Sequence, residues 1–370
     1  MAASELMLSL GLIEKDVNAD SLWVWCYPSI TADLREVLLR KCCLALENQL
    51  LHTFLFGQYC RTWYYISSVE VQEPTALKKV THFSVVITAK DFNPEKYAAF
   101  GRVLCRMYMK HGSPVKMMDG YIAVLTKGTC QSDENGSFLI KDYDVRKAYL
   151  AGSLKDVVSQ FGLETIILYT ALMLKKRVVV YHPRIESLLE FTRYLRIVLY
   201  HAIKQGELSA FESRALPALV WHRKDWSILH PFVHIDNNEL ENLKLCTGFI
   251  AGFVDLEVRD RSDLFDVFVN LPESEIIVSQ NAKEAMAMGK FHKEIGHFIL
   301  QAAEDADSTD AQVIKEISVK TQDILSYLMS LADEEENSKL TLETLKQRHF
   351  PPATENFLFH LAAAEQLLKI

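Results

Sequence analysis

The stretch KKRVVVYHPRIESLLEF (175–191) sets a short β-branched run ahead of a proline and an apolar helical period. That is the strand-to-helix order at which many α/β proteins hold a phosphate. Such a site needs glycines, so that backbone N–H groups approach the anion, and the turn here is YHPRIE, with none. Neither G-x-x-x-x-G-K-[ST] nor G-x-G-x-x-G occurs in the chain, so the strand reads as scaffold. AGSLKD (151–156) lacks the second glycine of a nucleophile elbow, which makes Ser153 a helix N-cap. HPFVH puts His230 and His234 on one face of an extended segment, and HKEIGH (292–297) spaces its histidines five apart, which a helix splays widely. The acidic run DLEVRDRSDLFD (255–266) has the wrong pattern for a calcium loop. Neither a general acid and base nor a metal set is assembled at a recognisable spacing, so no catalytic residue, metal site or cofactor is expected.

Composition narrows the remaining classes. Hydrophobic residues at 49% and charged residues at 24% describe an ordinary globular chain, and 370 residues predict two or three domains. A formal charge of -8 argues against nucleic acid as partner. The seven cysteines, at 26, 42, 43, 60, 105, 130 and 246, include no C-x-x-C and read as reduced thiols of a cytosolic protein. A secretory signal is not expected in MAASELMLSLGLIEKD, and the apolar run TIILYTALML (165–174) is about half of a bilayer span, so membrane association would be peripheral.

The elements fall into three zones. Residues 1–136 read as a small α/β module: strands at LWVWCYP (22–28), TFLFGQY, RTWYYISSVEV and HFSVVITA (82–89), then a helix in FNPEKYAAFGRVLCRMYMKHGSP. Asn93 is its N-cap, Pro94 fits its first turn, Gly112 takes the left-handed cap and Pro114 stops it. Its buried stripe is expected at Tyr97, Phe100, Val103, Leu104 and Met107, and GYIAVLT (120–126) as a further strand. The polar segment KGTCQSDENGSF (127–138) marks the first boundary. Residues 137–280 alternate helix and strand and imply a largely parallel, buried sheet. Residues 281–370 are helical, the last helix beginning at the prolines of FPPATENF.

Two surface features suit protein binding. In LWVWCYP a period of two puts Trp23, Trp25 and Tyr27 on one face of the strand and Val24 and Cys26 on the other. Either the aromatics form an outer patch of the kind that anchors interfaces, or they are the core and the smaller residues lie beneath a helix. Arg102, Arg106 and Lys110 recur every four residues along one helical stripe, as a solvated face or as guidance for an acidic partner or lipid surface.

YTALMLKKRVVVYHPRIESLLEF, DWSILHPFVHIDNNELENLKLCTGFIAGF and DVFVNLPESEIIV together resemble the central part of a tripartite DENN domain. The order α/β module, α/β module, helical tail is similar to that family's upstream, central and downstream parts along nearly the whole chain. The resemblance implies a longin-like first lobe and a second α/β lobe carrying the helical tail. It also implies guanine-nucleotide exchange on a Rab GTPase, by a cytoplasmic protein peripheral on late endosomes and acting in vesicle trafficking. Exchange makes and breaks no bond, which agrees with the missing catalytic motifs. Arg223, Lys224 and Trp226, in WHRKDWS with Trp221, are the residues expected near the GTPase. The other reading is a binding module that docks a helical or coiled-coil scaffold partner through Trp23, Trp25 and Tyr27. Distant DENN relatives that activate GTP hydrolysis use an arginine finger, for which Arg61 is the candidate. The family pattern is departed from at Lys175, where an acidic residue is common, at Tyr181 and His182, and at Gly248, where a proline is frequent.

Overall fold

In the computed structural model the chain forms two compact units, Met1–Ala151 and Gly152–Ile370. The structure describes residues 6–44, 51–71, 77–132, 136–143, 154–192, 228–305, 307–333 and 339–368.

The first unit is built on five strands, β1 (Met7–Asp16), β2 (Ser21–Tyr27), β3 (Phe54–Tyr59), β4 (Thr62–Glu70) and β5 (Val80–Ala89). They lie in the order β2-β1-β5-β4-β3, every pair antiparallel. Helix α1 (Ala32–Lys41) comes before β3, and α2 (Pro94–His111) and α3 (Pro114–Lys127) follow β5. Two elements depart from the sequence expectation. β1 and α1 were not anticipated, although α1 carries the ordinary signals: Thr31 accepts from the Leu34 amide, Asp33 sits in the first turn, and Arg40 and Lys41 in the last. GYIAVLT is part of α3 and not a strand. Pro114 ends α2 and also opens the next helix, where the missing N–H costs nothing, and Gly112 and Gly128 close the two helices with φ of 61° and 69°.

The buried side of α2 is Tyr97, Phe100, Gly101, Leu104, Cys105 and Tyr108, with Val103 and Met107 only half-buried. The stripe is turned from the expected one because Gly101 is pressed onto Ser67 of β4, where a Cβ would stand 2.2 Å from the hydroxyl. Burying each large apolar side chain of this face contributes about 1.5–3 kcal/mol. The segment 127–138 is no linker: β6 (Thr129–Ser132) and β7 (Gly136–Leu139) form a hairpin, so the boundary expected at residue 136 falls inside β7 and the units divide at 151/152.

The start of α2 is fixed by a buried polar cluster. Asp91 accepts from Lys96 Nζ at 2.6 Å, with both side chains more than nine-tenths buried, and from the Tyr97 hydroxyl. The Tyr65 hydroxyl donates to the Asp91 carbonyl at 2.8 Å and accepts from the Asn93 amide at 3.0 Å, while the Asn93 side chain caps the helix at the Lys96 amide. Tyr65 and Tyr97 stack at 4.2 Å. Burial pushes the Lys96 ammonium below its usual range, with Asp91 opposing it, and pushes the Tyr97 phenol well up.

In the second unit α4 (Leu154–Phe161) and α5 (Thr165–Met173) precede β8 (Arg177–Tyr181), and helix α6 follows over 185–192. Then come β9 (Leu229–Val233), α7 (Asn237–Lys244), β10 (Phe249–Phe253), β11 (Val267–Asn270) and β12 (Glu275–Val278). The sheet order is β12-β11-β8-β10-β9, parallel except for the antiparallel edge strand β12. Val178, Val179 and Val180 at its centre are fully buried, as a strand covered on both faces requires. Val179, Phe253 and Phe268 pack with Leu240 and Leu243 of α7 on one face, and Leu188 of α6 closes on Gly252. The Arg177 guanidinium ties β8 to the entry of β11 through Asp266 Oδ1 at 3.1 Å and the Asp263 carbonyl at 2.7 Å. The helical end comprises α8 (Lys290–Glu304), α9 (Asp310–Asp333), α10 (Leu342–Gln347) and α11 (Pro352–Ala364), the last starting at the predicted prolines.

Because removing one partner of a buried ion pair strands the other charge, Asp91→Ala is expected to cost about 3–5 kcal/mol in urea unfolding. Adding Lys96→Met to it should return part of that loss; a double variant no more stable than Asp91→Ala would show that the pair does not act as a unit.

Candidate functional site

The three aromatics of β2 do not share a face. Leu12 of β1 pairs with Trp25 and Ile13 with Trp23, so Val24 is an extra residue between them. Successive residues of β1 point to opposite faces, and this bulge therefore sends Trp23 to one side and Trp25, with Tyr27 opposite Leu10, to the other. This corrects the single-face expectation, which assumed an unbroken period of two. Trp23 lies across Gly11, where a Cβ would sit 2.6 Å from the ring, and the Arg35 guanidinium of α1 stands 5.8 Å from its centroid. Trp23 and Trp25 are half-buried, Cys26 likewise, and Val24 is 48% exposed.

Tyr27, 44% exposed, ends the strand on the side of α3. Burial, together with the neighbouring Tyr27 and Cys26, pushes the Tyr121 phenol of α3 up to about 12. Val115 and Ile122 are exposed on α3 seven residues apart, with Met118 half-buried between them. Val115, Met118 and Ile122 recur at helical spacing as an apolar stripe of α3, the helix whose Tyr121 neighbours Tyr27. That stripe was missed because GYIAVLT was read as a strand; Pro114 at the start and Gly128 at the end of the segment were the signal that would have found the helix.

Arg102, Arg106 and Lys110 are all exposed along α2, on the side away from Tyr97, Phe100 and Leu104. Arg61 is exposed at the tip of the β3–β4 hairpin, where Cys60 and Arg61 take φ of 46° and 63° in a two-residue turn that usually favours Asn-Gly. Arg223, Lys224, Trp226 and Trp221 lie outside the described residues, as does Ser153. His230 and His234 are half-buried and pack edge-on against Phe249 and Phe232. His292 is buried and His297 exposed, and among the described residues no cluster of three or more His, Cys, Asp and Glu side chains could hold a metal. No helix among them is long and apolar enough to cross a membrane.

The family-specific positions of the second unit serve its packing. Lys175, with φ of 52°, donates to the Ala364 carbonyl and lies 3.8 Å from Glu365 Oε1, so it joins the start of β8 to the end of α11. Gly248 approaches the Lys175 carbonyl so closely that a Cβ would stand 2.1 Å from its oxygen, which explains why no side chain occupies that position.

Two five-stranded sheets with flanking helices, one antiparallel and one nearly all parallel, define a mixed α/β protein. A family model described as DENN domain-containing protein 11 matches residues 95–281. The DENN domain-containing protein 10 of Danio rerio is 81% identical over 370 residues, the full length of both chains. That of Homo sapiens is 63% identical over 373 residues, covering 100% of this chain and 99% of the human one. That of Dictyostelium discoideum is 35% identical over 377 residues, 97% of each. The chain belongs to the DENN domain family.

The split of the aromatics has a measurable consequence. Trp23→Ala, which empties the space between Gly11 and Arg35, should cost about 2 kcal/mol or more, whereas Tyr27→Ala at the exposed end should change stability by less than about 1 kcal/mol. Equal losses in urea unfolding would place both rings in equivalent surroundings.

Proposed function

We propose that the protein is a guanine-nucleotide exchange factor for a Rab GTPase in endosomal vesicle trafficking. The observation that carries this reading is family membership along the whole chain, since DENN domains often serve as Rab exchange factors. The first unit, an antiparallel sheet in the order β2-β1-β5-β4-β3 with one helix before β3 and two after β5, is read as the longin-like lobe of such a protein. Exchange asks only that the protein bind the nucleotide-free GTPase more tightly than the loaded one, so that the switch segments are held away from the nucleotide. No proton moves and no bond is made, and the functional residues are contact residues. Arg223, Lys224 and Trp226 are assigned to the GTPase contact by residue type, a basic pair beside an aromatic of the kind enriched in interface hot spots.

A second reading is favoured by the exposed side chains near Trp25, Tyr27 and α3: a binding module that docks a helical or coiled-coil scaffold partner there.

Release of a fluorescent GDP analogue from a panel of purified Rabs separates the two. Acceleration of one Rab by about tenfold or more is expected, and Arg223→Glu should lower it without moving the thermal midpoint. Silence across the panel would reject the exchange reading. The second reading then requires that Trp25→Asp abolish capture of the scaffold partner while the fold is retained.

A further inference from the structure

The α2–α3 pair carries a surface charge opposite to that of the chain. Over residues 94–127 the exposed basic side chains are Arg102, Arg106, Lys110, Lys116 and Lys127. The exposed acidic one is Asp119, 3.3 Å from Lys116, in a protein whose formal charge is -8. Arg102, Arg106 and Lys110 advance one helical turn at a time, about 12 Å from first to last. On α3, which packs against α2 through Gly120, Val115 and Ile122 are exposed, at 55% and 38%, on a single stripe that, like the basic stripe of α2, is turned away from its helix's buried residues.

We propose that this face docks the protein peripherally on an anionic lipid bilayer, with the basic side chains at headgroup level and Val115 and Ile122 entering the interface. Juxtaposed basic and exposed aliphatic residues are what such a surface recognises: the charges are drawn to the lipid headgroups and the aliphatic groups gain by leaving water. The positive charges are spread along two helices and not gathered round a pocket. A plane of many weakly localised negative charges matches that spread better than a single acidic side chain or peptide does. The docking requires no exchange activity and stands apart from the GTPase contact.

Flotation of the full chain with phosphatidylcholine vesicles, with and without about one-third phosphatidylserine, tests it. Binding to the anionic vesicles alone is expected, weakening as salt is raised. Each basic residue near the surface is worth roughly fivefold in partitioning, so Arg102→Gln, Arg106→Gln and Lys110→Gln together should lower it roughly a hundredfold. Val115→Ser with Ile122→Ser should lower it with the charge untouched, and Arg102→Lys with Arg106→Lys should keep it. Circular-dichroism melts of each variant check that the fold is retained. No binding to anionic vesicles, equal binding to neutral ones, or an unaffected triple variant would overturn the proposal. Capture of a glutamate-rich helical peptide without vesicle binding would overturn it too, in favour of a protein partner.

Discussion

A single carboxylate sets the geometry of the first unit. Asp91 holds the Lys96 ammonium and the Tyr97 hydroxyl while its own carbonyl accepts from Tyr65, so the end of β5, the first turn of α2 and the middle of β4 are tied together at one point. Nearly complete burial makes the tie strong in one sense only: the pair gains little over an apolar replacement, yet losing either member strands a charge away from water. With the start of α2 pinned and Gly101 set down on Ser67, the rotation of the helix is decided. Tyr97, Phe100, Leu104 and Tyr108 must then face the sheet, and Arg102, Arg106 and Lys110 must face water.

The other edge of the same sheet depends on one inserted residue. Val24, opposed by nothing on β1, reverses the side-chain alternation between Trp23 and Trp25. One indole is held over Gly11 beneath Arg35, and the other stays with Tyr27 on the side of α3. The bulge also blunts an edge strand that would otherwise offer a straight row of unpaired backbone groups to another chain.

Both features suit a protein that acts by binding. An exchange factor, a scaffold-docking module and a lipid-docking surface all need contact residues held in fixed positions, and none needs a polarised nucleophile. In the second unit the same economy appears in Lys175 and Gly248. Lys175, where the DENN resemblance leads one to expect an acidic residue, reaches α11, and Gly248 beside it admits a backbone carbonyl.

The sequence by itself determined the class of protein and most of the elements. The β-branched run at 177–181 and the alternation in β4 and β5 report local backbone preference and burial, as do the Asn93 and Gly112 caps of α2. These signals lie within a few residues of the structure they specify, and so they were legible. The family resemblance was legible for a different reason, because it is spread over long quoted stretches and does not rest on any one contact. Only the tertiary structure decided which faces those elements present. The bulge at Val24 is defined only by the pairing of β2 with β1, whose residues lie ten or more positions earlier. The turn of α2 was set by Gly101 meeting a β4 residue thirty-four positions earlier. The helical state of GYIAVLT, by contrast, has a local cause in Pro114 and Gly128 and was legible in the sequence. Periodicity gives the spacing of side chains along an element, but their orientation depends on contacts that are distant in sequence, and a single extra residue is enough to reverse it.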